Sequence, residues 1–119
     1  MNIKKPLLIA FGSQVSGRAT PASDFDFGVY LGHPLSLDDR AFFSESLANR
    51  FQINEDKIDL IDLFSVSPLL KFEAARGGKL VEGDPSDFTR FKVRSFREYQ
   101  DTAKFRRLRE RSIMKSHVQ

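Results

Sequence analysis

The segment Asp24-Phe25-Asp26-Phe27-Gly28-Val29-Tyr30-Leu31 alternates strictly between two kinds of side chain. Residues two apart on a β-strand leave the same face. Phe25, Phe27, Val29 and Leu31 therefore form one apolar row, and Asp24, Asp26, Gly28 and Tyr30 form the other. A purely structural strand would carry Thr or Val where Asp24 and Asp26 stand. Two carboxylates on one face, with Cα atoms about 6.5–7 Å apart, repel each other by roughly 2 kcal/mol at an effective dielectric near 20. The pattern makes sense if the phenylalanines face a core while the aspartates face an open cleft, with a divalent cation between them. A hard ion such as Mg²⁺ suits carboxylate oxygens and substrate phosphates.

The flanking sequence places that strand in a larger plan. Lys4 to Phe11 reads as a short buried strand closed by Gly12-Ser13. Residues 12–23 hold two Gly, one Pro and four Ser/Thr, the composition of a loop with at most one helical turn. Ser36 caps a helix running to about Gln52, with Asp38 and Asp39 in its first turn and Phe43, Leu47 and Phe51 at helical spacing. Lys57 to Phe64 reads as a third strand. Ser67-Pro68 opens a second helix that Gly77-Gly78 closes. Lys79–Glu82 forms a short strand, and Gly83-Asp84-Pro85 turns the chain into a helix from Ser86 onward, with Phe88, Phe91, Phe96, Tyr99 and Ala103 near one face. The order β, loop, β, α, β, α, β, α predicts an α/β (α+β) fold, a mixed sheet with helices packed on one face and the other face free. One domain is expected over 1–119, with its core in 3–85 and a basic C-terminal helix over 86–116.

Composition narrows the chemistry. No cysteine excludes a thiolate metal site and fits a reducing, cytoplasmic setting. His33 and His117 are too few and too far apart for a zinc centre, so any metal is held by oxygen. Lys4-Lys5 before the apolar run Pro6–Phe11 only faintly imitates a leader, and that run is far too short to span a membrane. Residues 86–119 carry ten Lys/Arg against four Asp/Glu, whereas the rest of the chain is net acidic. A basic tail of this kind is most often a solvated helix face, and otherwise a contact for nucleic acid or an acidic partner.

A third acid is available on the third strand. Asp59 lies between Ile58 and Leu60 as Asp26 lies between Phe25 and Phe27. Asp62, three residues on, faces the opposite way in a regular strand. Only one can join Asp24 and Asp26; Asp59 is preferred, with Asp62 the alternative. Gly12 lets backbone approach a ligand closely, and consecutive N–H groups in the turn, with the Ser13 hydroxyl, suit an anion. Neither a Walker A loop nor a GxGxxG fingerprint is present.

Gly12-Ser13, ten residues and then Asp24-x-Asp26 resemble the signature of the DNA polymerase β-like nucleotidyltransferases, in particular the minimal nucleotidyltransferase branch that includes antitoxins. The resemblance runs over about residues 7–82 and takes in "FGS", Gly17, "SDFDFGVYL", "KIDLIDL" and "SPLLKFEAARGGKLVEGD". It implies a nucleotidyltransferase fold and two-metal nucleotidyl transfer. Asp24, Asp26 and Asp59 would be the catalytic and Mg²⁺-binding residues, holding two ions, and Gly12 and Ser13 would grip the β- and γ-phosphates of ATP. Gln14 stands where the family usually has a basic residue, a place Arg18 would fill as a nucleotide-binding group. The implied reaction moves AMP from ATP to a tyrosine of a HEPN-domain ribonuclease toxin, the two proteins forming a hetero-oligomer. Two alternatives are an antitoxin that neutralises its toxin by binding alone, with the basic tail as its docking surface, and a nucleotidyltransferase acting on RNA or a small molecule, with the basic tail as phosphate contact. Nucleic acid is the less favoured partner, and no membrane is expected. Tyr30 shares the acidic face, where it would stack on a base.

Overall fold

The computed structural model describes residues 1–12 and 24–118, with side chains as far as Arg111 in the last helix. Its elements are β1 (Leu7–Phe11), β2 (Phe25–Tyr30), α1 (Leu37–Phe51), a 3₁₀ turn (Glu55–Lys57), β3 (Ile58–Asp62), α2 (Pro68–Gly77), β4 (Lys79–Glu82) and α3 (Pro85–Val118). The strands form one sheet in the order β3-β2-β1-β4. β1 runs antiparallel to both β2 and β4, while β2 and β3 are parallel, joined by the α1 crossover. The mixed sheet and the strand and helix order agree with the sequence reading, and the short 3₁₀ turn before β3 is an addition to it.

One expectation needs correction: the helices divide between the two faces of the sheet. Leu8, Phe27 and Val29 pack with Phe43 and Leu47 of α1. Leu7, Ile9 and Tyr30 pack on the other face with Leu63, with Ala74 and Ala75 of α2 and with Phe88 and Phe91 of α3. The cause lies in β1, where the consecutive residues Leu7, Leu8 and Ile9 are all buried. A strand apolar at both parities needs cover on both sides. Among the described residues, the second face opens toward one end. Along the row of β2 that carries the acids, Asp24 is exposed, Asp26 half-buried, and Gly28 and Tyr30 buried.

Caps fix the helix starts. The Ser36 hydroxyl accepts the Asp39 N–H, and the Asp39 carboxylate accepts the Ser36 N–H, a reciprocal box at 3.0 Å each way. Ser67 caps α2 ahead of Pro68. Asp84 accepts the N–H groups of Ser86 at 2.8 Å and Asp87 at 3.2 Å, together with the Ser86 hydroxyl. Buried Asp87 accepts the Lys4 N–H at 3.0 Å and the Arg90 guanidinium, and Arg90 also reaches the Asn2 carbonyl at 2.9 Å. The start of the chain is thereby pinned to α3.

These bonds set the acid response. The Ser86 hydroxyl and the helix N–H groups pull the Asp84 carboxyl down from 3.8 to about 2. The Lys4 N–H and Arg90 lower Asp87. A carboxyl whose pKa falls on folding contributes stability above its ordinary value and loses it as pH drops through the folded value. Thermal stability should therefore decline from about pH 4 toward pH 2. Asp84→Asn, which keeps a competent cap, should start lower at neutral pH and show a shallower decline; melting curves across that range read the difference.

Candidate active site

Strand register brings the site together. Phe11 of β1 lies opposite Asp26 of β2, and Asp26 in turn opposite Asp59 of β3. Asp26 and Asp59 share a face, near enough for the charge of one to bear on the other. Asp24, exposed, precedes Asp26 by two residues at the same end. Burial raises the Asp26 pKa, and the like charges of Asp59 and Asp24 push it further up. The cluster is a concentration of negative charge at a sheet end, with its central member partly withdrawn from water.

Gly12 directly follows β1 and adopts φ +88, in the left-handed region. A Cβ there would overlap the Asp26 carboxylate. Only glycine meets both demands without strain. The turn that closes β1 therefore lies against the acid at the centre of the cluster.

Asp59 and Asp62 have different surroundings. Asp62 is buried and already committed, since its carboxylate accepts Leu35 N–H and Phe64 N–H at 3.0 Å each and the Ser65 hydroxyl at 2.9 Å. It fastens the exit of β3 to the segment entering α1. Asp59 is the acid brought to Asp26. Ser13, Gln14, Gly17 and Arg18 lie outside the described residues. Tyr30 belongs to the core, its ring 5.0 Å from that of Phe91 and 6.5 Å from that of Phe64.

Sequence reasoning missed a supporting pair. Leu63, fully buried just beyond β3, lies across Gly28, where a Cβ would come within 2.5 Å of Leu63 Cδ1. Gly28 follows Asp26 by two positions on the same face, so Leu63 walls the acidic end of that face. The available signal was the glycine itself, since glycine inside a strand often marks a close approach by another group.

The donor set is oxygen throughout. Among the described residues, no group of three or more His, Cys, Asp or Glu side chains stands close enough together to hold a metal ion. Two facing carboxylates with a third beside them suit Mg²⁺, which binds through one or two carboxylates and takes waters and substrate phosphates for the rest. The residues present fit such an ion.

Comparison with known proteins bears on this arrangement. The family model described as polymerase beta, nucleotidyltransferase, matches residues 2–85. A protein adenylyltransferase MntA of Aphanizomenon flos-aquae (strain 2012/KM1/D3) is 34% identical over 100 residues, covering 74% of this chain and 64% of that protein. The chain thus spans somewhat less than two thirds of that relative's length. A solved toxin–antitoxin structure with AMP-PNP superposes with a TM-score of 0.73 at 28% identity, over 91% of this chain and 85% of the other. A tri-AMPylated Shewanella oneidensis HEPN toxin in complex with its MNT antitoxin gives 0.66 at 26% identity, over 94% and 86%.

Proposed function

We propose that this chain, which belongs to the polymerase beta nucleotidyltransferase family, transfers AMP from ATP to a tyrosine of a HEPN-type toxin in the cytoplasm and so acts as its antitoxin. The observation that carries the reading is the register-paired Asp26 and Asp59, with Gly12 closed against Asp26 and Asp24 exposed beside them. The name of the adenylyltransferase relative and the AMPylated toxin of the Shewanella complex support the same reading.

In this reading Asp24, Asp26 and Asp59 would hold two Mg²⁺ ions, which would supply charge to shield the triphosphate and lower the pKa of the attacking hydroxyl. The Gly12 N–H and the Ser13 hydroxyl donate to the β- and γ-phosphates, and Arg18 adds a cation to them. Asp59, the exposed member of the pair, receives the phenolic proton or passes it to water. The phenolic oxygen forms a bond to the α-phosphorus while the bond from that phosphorus to the bridging oxygen breaks. Pyrophosphate leaves with the electron pair. Little covalent chemistry falls to the protein, whose task is positioning and charge stabilisation.

The test uses two ATP samples, one labelled at the α-phosphate and one at the γ-phosphate. With Mg²⁺ and toxin present, label should pass to the toxin from the first only and be lost on chelation by EDTA. Label retained on RNA in place of protein, or transferred from the γ-phosphate, would overturn the assignment.

A further inference from the structure

We infer that the outer half of α3 is a docking surface for a protein partner with an acidic, partly apolar face; this rests on the reading that the AMP acceptor is a protein. α3 has 34 residues, a length of roughly 50 Å at 1.5 Å per residue. Its inner half is anchored: Phe88 and Phe91 are core, Lys71 pairs with Glu98 at 3.2 Å, and Tyr99 stacks on Phe72 at 4.6 Å between centroids. Beyond Tyr99 the described polar contacts stay inside the helix, from the Thr102 hydroxyl to the Tyr99 carbonyl and from Arg106 to that hydroxyl and the Tyr99 ring. Every residue from Lys104 to Arg111 is exposed. The molecule measures 59 × 35 × 27 Å, long in one direction as a helix extending past its packing partners would make it.

An unsupported helix segment of this kind is marginal in water, because most helical stability comes from packing an apolar face. The segment has such a face. Phe105 is 73% exposed and Leu108 58% exposed, and residues three apart on a helix are neighbours. At 3.6 residues per turn, Arg109 flanks this pair on one side and Lys104 and Arg111 flank it on the other, while Asp101 marks the inner end of the stripe. Arg107 and Glu110 lie on the far side. An apolar centre inside a charged rim is the usual anatomy of a protein interface. The rim decides the occupant. A second copy would bring like charges together, whereas an acidic face complements Lys104, Arg109 and Arg111. RNA would engage the cations all round the helix without preference for the apolar stripe.

The experiment measures toxin binding and AMP transfer separately, using the full chain and its cognate HEPN toxin. Phe105→Ala with Leu108→Ala should raise Kd by roughly 30-fold or more, as loss of a central apolar anchor does, and leave kcat at saturating toxin unchanged. Lys104→Glu with Arg109→Glu should slow association and abolish its dependence on salt, while Arg107→Glu on the far side should change Kd by no more than about threefold, as rim-distant charges do. All these positions are exposed and accept good helix formers, so the variants keep the fold. Unchanged Kd in Phe105→Ala/Leu108→Ala, or no binding by the unaltered chain, overturns the docking surface. So does a dimer of the chain alone that this variant disperses, or binding of a fluorescent single-stranded RNA weakened equally by Arg107→Glu and Arg109→Glu. Tight, stripe-dependent binding with no AMP transfer would leave the docking surface standing and defeat the catalytic reading instead.

Discussion

Asp26→Asn should yield a protein that resists heat better than the unaltered chain and is almost inert in AMP transfer. Burial and the charges of Asp59 and Asp24 raise the Asp26 pKa. A group whose pKa rises on folding contributes stability below its ordinary value and loses it as pH climbs through the folded value. At neutral pH the ionised carboxylate therefore works against the fold, and a neutral amide removes that burden. The gain in Tm should be present at pH 7 and vanish near pH 3, where the carboxyl is protonated in either state. Mg²⁺ should raise the Tm of the unaltered chain more than that of the variant, since the ion relieves the repulsion that the amide already lacks. Activity moves the other way. The loss should exceed the roughly 10²–10³-fold that removal of one preorganised electrostatic group costs an enzyme, because the charge of Asp26 is coupled to both other acids. A lower Tm for the variant at neutral pH, or preserved transfer, would contradict this picture of the cluster.

The second large effect concerns the wall beside the acids. Leu63 is fully buried and lies over Gly28. Leu63→Ala should cost about 2–5 kcal/mol, the usual range for emptying a buried leucine site. Gly28→Val adds volume to the same space and should cost about 1–3 kcal/mol through overpacking. Because the two side chains would compete for one volume, the double variant should be more stable than the sum of the single losses predicts. Denaturant unfolding of the four proteins measures that coupling. Strict additivity would mean that Leu63 and Gly28 do not share the space.

The sequence carried the fold far because its local signals agreed. Alternation in β2 predicted which face is apolar, and Phe27 and Val29 do pack with Phe43 and Leu47 of α1. Ser36, Ser67-Pro68 and Gly77-Gly78 marked the helix ends within a residue or so. The distribution of helices over two faces was less legible. Its only trace in the chain was the apolar run Leu7-Leu8-Ile9, which at that length does not distinguish a sheet covered on both faces from an ordinary buried strand. At the site, the spacing of Gly12, Asp24 and Asp26 was readable as a pattern, whereas the partnership of Asp26 with Asp59 depends on the parallel register of β2 and β3. Strand parity put Asp59 and Asp62 on opposite faces, but only tertiary contacts to Leu35, Phe64 and Ser65 reveal that Asp62 is already engaged. Leu63 was invisible for a similar reason, since nothing in its neighbourhood along the chain says that it crosses Gly28. The last helix shows the limit from the other direction. Its pattern placed Phe88, Phe91 and Phe96 near one face, and the structure divides them, with Phe88 and Phe91 buried and Phe96 exposed.

The central claim is that the acids do chemistry and that the chain is more than a cap on its partner. The most direct measurement is the ribonuclease activity of the HEPN toxin after incubation with ATP, Mg²⁺ and either the unaltered chain or Asp24→Asn/Asp26→Asn, followed by removal of the antitoxin chain. Silencing that persists after removal with the unaltered chain, and is absent with the variant, is the predicted result. Equal silencing by both while bound, with full recovery of ribonuclease activity once either is removed, would contradict it and show neutralisation by binding alone.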